Sequence, residues 1–147
     1  MIFRHYPYNI IRRDRIKGSG GIIIFLKKEY KIISKHVDSD YETVTLSLEL
    51  NHKCSNFIIG YNPQFEFANQ FNLHLESRLR SVNLKYATFI LGDFNQDLLT
   101  TRGDRLKELM DDYGFSIKYN EATHFQRNSG SLIDVVYHND DDLCFKS

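Results

Sequence analysis

Asp93 and Asn95 are the residues whose type and spacing most suggest chemistry: a carboxylate and an amide two positions apart, directly behind the apolar run Ala87-Thr88-Phe89-Ile90-Leu91 and Gly92. The run lacks the alternation of a half-wetted strand, so it reads as a strand covered on both faces that ends at the glycine. Ligands of open α/β sheets gather outside the carboxyl ends of strands, and residues two apart in an extended segment point the same way. Asp93 and Asn95 would then share one polar site. The competing reading is a turn whose Asp and Asn cap the next helix, and this stretch alone leaves both open.

Two further residues stand in comparable places. Tyr61 follows the apolar stretch Cys54–Gly60 and precedes Asn62-Pro63, where proline ends the ladder. Asp134 lies among Leu132, Ile133, Val135 and Val136 in a strand expected over Ser131–Tyr137. An ionised carboxylate in such company is costly unless it faces water or a hydrogen-bonding partner. A wetted strand face and a functional carboxylate both satisfy that condition.

The elements that must position these residues follow from periodicity. Met1–Lys17 scatters Arg4, Arg12, Arg13, Arg15 and Lys17 among Tyr6, Pro7, Tyr8, Ile10 and Ile11 without a persistent period, and reads as loop or sheet edge. Gly18-Ser19-Gly20-Gly21 turns into a strand over Ile22–Leu26; a phosphate-binding loop would need Gly-Lys-Ser/Thr entering a helix. Tyr30–Lys35 reads as the hairpin partner of that strand. Thr43–Leu50 alternates, with Val44, Leu46, Leu48 and Leu50 inward and Thr43, Thr45, Ser47 and Glu49 toward solvent. Phe67, Phe71, Leu75 and Leu79 recur at i+4 and predict an amphipathic helix over about Phe65–Val82. A second helix is expected over about Asp104–Tyr113, stopped by Gly114, then a short strand within Ser116–Tyr119 and a turn at Arg127–Gly130.

A chain of 147 residues, 41% hydrophobic and 14% aromatic, is one folded domain's worth rather than a disordered tract. No apolar run approaches the roughly 20 residues of a membrane span, and Met1–Ile11 lacks a secretory leader pattern. Membrane insertion and export are disfavoured. Cys54 and Cys144 show neither CxxC spacing nor a disulfide framework, and read as free thiols of an intracellular compartment. Net charge is zero, yet residues 1–35 hold nine Lys or Arg against two acids and the remainder ten against seventeen. That split suits a phosphate-binding rim beside a metal-binding cleft, and equally a plain solvated surface. There is no internal repeat, low-complexity tract or interdomain linker.

Taken in order, Arg13-Asp14-Arg15 with Gly18-Ser19-Gly20-Gly21, Tyr61-Asn62-Pro63, Gly92-Asp93-Phe94-Asn95 and Ser131-Leu132-Ile133-Asp134 resemble the endonuclease/exonuclease/phosphatase superfamily. The resemblance is closest to the apurinic-endonuclease-like domain of non-LTR retrotransposons, where Arg-x-Asp-Arg before a Gly-rich turn and Thr-x-Phe ahead of Ser-x-Ile-Asp are familiar. It runs over nearly the whole chain. It implies a four-layered α/β sandwich, two mixed sheets packed face to face with helices outside, of which residues 1–147 form a partial domain. By the same resemblance Asp93 positions or deprotonates the attacking water and contacts a metal, and Asn95 holds the scissile phosphate or the water. Tyr61 contacts the phosphate or stabilises the departing oxygen, Asp134 orients a catalytic histidine, and Thr123 contacts phosphate. The implied cofactor is Mg2+ or Mn2+. The implied partners are the DNA phosphate backbone and a reverse transcriptase in the same chain of a full-length element, working in the nucleus without a membrane. The residue types suit the reaction, because in-line phosphoryl displacement is catalysed mainly by positioning and charge neutralisation, and magnesium supplies both through oxygen ligands.

The sequence also departs from the family. An asparagine and a metal-binding glutamate expected before the Arg-rich segment are absent, as is a Ser-Asp-His motif beyond Asp134. His124 and His138 do not stand at the motif position and read as surface histidines. The expectation is a divalent-metal-dependent DNA-nicking domain that is inactive or nearly so as this fragment, with a buried Asp134 deprived of its partner. The alternatives are a non-catalytic nucleic-acid-binding relic, or a phosphatase or repair nuclease of the same superfamily.

Overall fold

Residues 7–15, 18, 20–127 and 129–140 are described by the computed structural model. The strands are β1 (Tyr8–Asp14), β2 (Gly21–Lys27), β3 (Lys31–Val37), β4 (Glu42–Leu50), β5 (Lys53–Tyr61), β6 (Ala87–Asp93), β7 (Ser116–Ile117), β8 (His124–Gln126), β9 (Ser129–Ser131) and β10 (Asp134–His138). The i+4 stripes form α1 (Ala68–Ser81) and α2 (Asp104–Asp112), each led in by a 3-10 turn, Phe65–Phe67 and Thr101–Gly103. A six-stranded sheet runs β3-β4-β5-β6-β10-β7, beside two-stranded sheets of β1-β2 and β8-β9. Within the large sheet β5 and β6 are parallel and the other pairs antiparallel. Parallel neighbours need a crossover, and α1 supplies it.

Two apolar clusters make three layers. On one face Phe71, Leu75 and Leu79 of α1 and Leu106 and Met110 of α2 pack on Ile58, Ile90, Val135 and Tyr137. On the other, Ile11 of β1 and Leu26 of β2 pack on Val44, Leu46 and Leu48 of β4. The order is helices, mixed sheet, two-stranded ribbon, and the outer ribbon residues Ile23 and Phe25 stay exposed. This is the sandwich expected from the sequence, with one sheet reduced to a ribbon and no outer helix on it among the described residues.

Several expectations need correction. Of the loop and edge readings of the first residues, edge holds for 8–14, which form an edge strand paired antiparallel with β2. β3, within the stretch expected to pair with β2, pairs with β4 instead. The Thr43 and Thr45 side of β4 is buried, since α1 lies over it: the Thr43 hydroxyl is 2.7 Å from His74 Nε2, and Arg78 Nε donates to Thr45 Oγ1 at 3.0 Å. The strand expected over Ser131–Tyr137 is broken. Ser131 ends β9, and β10 begins only at Asp134. His138 is half-buried, its Nδ1 3.1 Å from the Asp140 carbonyl oxygen. Cys54 is a free thiol, as expected, and Cys144 lies outside the described residues.

Candidate active site

Strand register alone brings the predicted residues together. Tyr61 pairs with Asp93 across the parallel β5–β6 ladder, and Asp134 pairs with Asp93 across the antiparallel β6–β10 ladder. Directly opposed residues of a sheet share a face. Glu42, the first residue of β4, pairs with Tyr61 and extends the row to Glu42–Tyr61–Asp93–Asp134. The row lies on the ribbon side of the sheet, where Arg15 reaches in just beyond the end of β1.

Glycine permits this close approach. A Cβ on Gly92 would stand 1.8 Å from the Gly60 carbonyl oxygen, and the φ of +145° already excludes most side chains. Beyond the strand ends, hydrogen bonds lock the geometry. Asn62 N donates to Asp93 O at 2.9 Å and Asn62 Nδ2 to Phe94 O at 3.0 Å, from a side chain that is fully buried. Asn95 N donates to Asp93 Oδ1 at 3.1 Å, an Asx turn. Asn95 Nδ2 donates to Asn62 O at 2.9 Å and Pro63 O at 3.0 Å. Both amide protons of Asn95 therefore face main-chain carbonyls, which leaves its Oδ1 as the atom able to meet a water or a donor. The capping and site readings of Asp93 and Asn95 thus describe the same atoms: the turn is what aims the carboxylate.

Asp134 is held from the other side. Phe94 N donates to Ile133 O and Leu98 N to Leu132 O, both at 3.0 Å, and Leu132 N donates to Asp97 Oδ1 at 2.9 Å. Thr123 N donates to Ser131 O at 2.9 Å, and Thr123 Oγ1 accepts from Asp134 N at 3.3 Å. Thr123 is exposed beside Asp134, so all five sequence-predicted residues fall in one place. Asp134 itself is exposed, which corrects the expectation of a buried carboxylate missing its partner. Water satisfies it.

The electrostatics follow from this packing. Asp93 is half-buried, and that burial, reinforced by the charge of Asp134, raises its carboxyl above the ordinary 3.8, against the pull of the Asn95 N–H and of His124. His124 is on the surface, as expected, yet near enough to act on Asp93. Arg15 forms a bidentate pair with Glu42, Nε to Oε1 and Nη2 to Oε2 each 2.7 Å, and its guanidinium lies 5.3 Å from the Tyr61 ring centre. The hydrogen bonds to Glu42 first and to Tyr61 second hold Arg15 above its ordinary pKa. Glu42 is thereby committed to a cation of the chain itself. Asp93 and Asp134 remain as the carboxylates facing outward, and no group of three or more His, Cys, Asp or Glu able to hold a metal exists among the described residues. Sequence reasoning missed Glu42, although a glutamate in phase with Val44, Leu46 and Leu48 on the apolar side of β4 is a signal that it pairs with a cation.

The fold is similar to that of the endonuclease domain of TRAS1, a telomere-specific non-LTR retrotransposon, with a TM-score of 0.71 and 16% identity over 92% of this chain and 68% of that one. It is similar to the human Nocturnin catalytic domain with bound sulfate, TM-score 0.67 and 12% identity, over 90% of this chain and 60% of that one. It also resembles D. rerio TDP2 complexed with single strand DNA product, TM-score 0.66 and 10% identity, over 93% and 64%. The chain spans less than two thirds of the Nocturnin and TDP2 structures. No family profile and no curated protein sequence matches it. The likeness is one of fold, and the chain has the α/β fold of endonuclease/exonuclease/phosphatase proteins.

Proposed function

We propose that the row of strand ends is the phosphodiester-hydrolysing site of a DNA endonuclease domain of the retrotransposon type, which nicks nuclear DNA for a reverse transcriptase in the same polyprotein. The observation that carries this reading is the register placing Tyr61, Asp93 and Asp134 side by side at three adjacent strand ends. Two neighbouring carboxylates, one with its acidity weakened first by burial and then by the charge of the other, form an oxygen-rich position that a divalent cation relieves. This donor set suits Mg2+, which binds through one or two carboxylates and keeps its remaining waters. When bound there, the ion would neutralise phosphate charge and acidify a water.

The residues of the chain account for the rest. Asp93 takes the proton of the attacking water as the new P–O bond forms, a task favoured by its raised affinity for protons. Asn95 Oδ1 accepts from that water and fixes its direction. As the opposite P–O bond breaks, the Tyr61 phenol donates to the departing oxygen, with Arg15 holding the ring in place. Thr123 offers its hydroxyl to the phosphate beside Asp134. The row supplies two outward carboxylates and no histidine hydrogen-bonded to Asp134 among the described residues, so this chain binds DNA and turns it over slowly or not at all.

Anisotropy of a labelled duplex tests the binding. Mg2+ should tighten it for the wild type and leave Asp93→Asn unaffected; absent binding, or binding indifferent to Mg2+ and to Asp93, sinks the site. Supercoiled plasmid with Mg2+ should stay uncut, and nicking that disappears in Asp93→Asn would overturn the clause on inactivity.

A further inference from the structure

A cavity of about 790 Å3 opens at the Tyr61 end of the row, between the ends of β4 and β5 and the Phe65–Phe67 turn that leads into α1. Sites for small organic ligands run from about 300 to 1,000 Å3, so this one exceeds what a phosphate group needs. Its charge pattern argues against an anion. Arg13 Nε donates to Asp38 O at 2.6 Å and Nη2 to Ser39 O at 3.1 Å, while Arg15 is paired with Glu42. Arg15 and Glu42 neutralise one another, Asp40 offsets Arg13, and the guanidinium donors are engaged by the chain, so the wall has no net positive charge to draw an anion.

The remaining lining suits a flat, uncharged heterocycle. Phe67 stands at the cavity 48% exposed, a large apolar ring left wet where α1 begins. Tyr41 also lines the cavity, its own ring stacked on His74 at 4.2 Å and 10° and so held rigidly. Gln70, in the first turn of α1, lines the cavity, is exposed, and makes no side-chain hydrogen bond among the described residues. Its amide presents one donor edge and one acceptor, the pattern that matches a base edge. Tyr61 belongs to both the cavity and the row, so a nucleotide with its phosphate at Asp93 is next to the cavity.

We propose that this cavity takes the nucleobase of the nucleotide adjoining the scissile phosphate, stacked on Phe67 with its edge against Gln70; the assignment rests on the DNA reading given above. Nucleobase stacking on an aromatic side chain is sequence-tolerant, whereas the Gln70 amide discriminates between base edges.

The test uses the whole chain, chelator to exclude cleavage, and a short single-stranded thymidine oligonucleotide with one central 2-aminopurine. Binding should quench the 2-aminopurine. Phe67→Ala should abolish the quench and weaken affinity roughly 5- to 150-fold, the range of one lost stacked base. Phe67→Tyr should restore both, and since Phe67 is half-exposed, circular dichroism should show all three proteins equally folded. Gln70→Ala should keep the quench and flatten affinity differences among the four bases at the central position. Adenosine should displace the probe, and inorganic phosphate at equal concentration should not. Affinity unchanged in Phe67→Ala, or displacement by phosphate rather than adenosine, overturns the nucleobase assignment and leaves the DNA reading standing. Failure of the wild-type chain to bind any oligonucleotide overturns both, and a quench that survives in Asp93→Asn while binding proves indifferent to Mg2+ and to Asp93 upholds the cavity against the catalytic proposal.

Discussion

Gly92→Ala tests whether the close approach of β5 and β6 is what builds the site. The new Cβ would lie 1.8 Å from the Gly60 carbonyl oxygen, backbone that cannot swing aside, at a φ of +145°. A sparsely populated backbone region costs an ordinary residue about 1–3 kcal/mol. Relieving the contact to the ~3.3 Å of a normal carbon–oxygen approach means parting the strands by ~1.5 Å. That strains the adjoining Asn62 N to Asp93 O bond, where each lost backbone hydrogen bond costs about 1 kcal/mol. Together these amount to about 2–4 kcal/mol, a large part of the 5–15 kcal/mol of a typical domain. Gly114→Ala is the matched control: its φ is +75° and nothing lies within 4 Å of an added Cβ, so it loses only the ~1–2 kcal/mol of the left-handed conformation. The chain has no tryptophan, so urea unfolding is followed by far-ultraviolet circular dichroism. Gly92→Ala should lower the midpoint by about 1–2 M, and Gly114→Ala by about half of that. Equal shifts for the two variants would refute the claim that Gly92 sets the spacing of Tyr61 and Asp93.

Three other outcomes follow from the packing. Because burial and Asp134 raise the Asp93 carboxyl, the folded state binds more protons than the unfolded one above pH 3.8, and stability falls as pH rises through that window; Asp93→Asn should melt higher than wild type at pH 7, with the gain shrinking below pH 3.8. Burial lowers the His74 pKa from 6.5, so the unfolded state binds more protons and stability is lost as pH falls through 6.5; melting curves of His74→Gln should be flatter there. Gln96 Nε2 donates to Asn72 Oδ1 at 2.8 Å and Asn72 Nδ2 to Gln96 Oε1 at 2.9 Å, joining α1 to the loop behind Asn95. Gln96→Ala should cost about 1–3 kcal/mol by urea unfolding, and a double-mutant cycle with Asn72→Ala should show that the two losses are not additive.

The strand ends that carry the candidate site were more legible in the sequence than the pairing of the strands around them. Tyr61 and Asp93 sit at strand termini that glycine, proline and polar residues mark in the sequence, whereas Asp134, read inside a strand, opens one. Which strands lie side by side is a long-range choice that local pattern does not encode. β3 therefore looked like a partner for β2, although the two belong to different sheets. The alternation of β4 was real, but its threonine face is covered by His74 and Arg78, polar residues that a helix can lay over hydroxyls as readily as water can. Asp134 looked buried because Leu132 and Ile133 were counted into its strand; they form a crossing segment tied to Phe94 and Leu98, and the carboxylate opens the next strand in water. Glu42 escaped notice because its partner, Arg15, comes from another sheet.

β10 is the last described strand in the chain and yet lies inside the sheet, between β6 and β7. During synthesis β3, β4 and β5 can pair as soon as each emerges, since every one meets its sequence neighbour. The slot beside β6 has to stay open until residues 134–138 leave the ribosome, with its N–H and C=O groups exposed in the meantime. Asp134 arrives only with that final insertion. A nascent chain thus holds Tyr61 and Asp93 at paired strand ends while the last member of the row has yet to be made, and the four-residue row closes only when β10 slides in between β6 and β7.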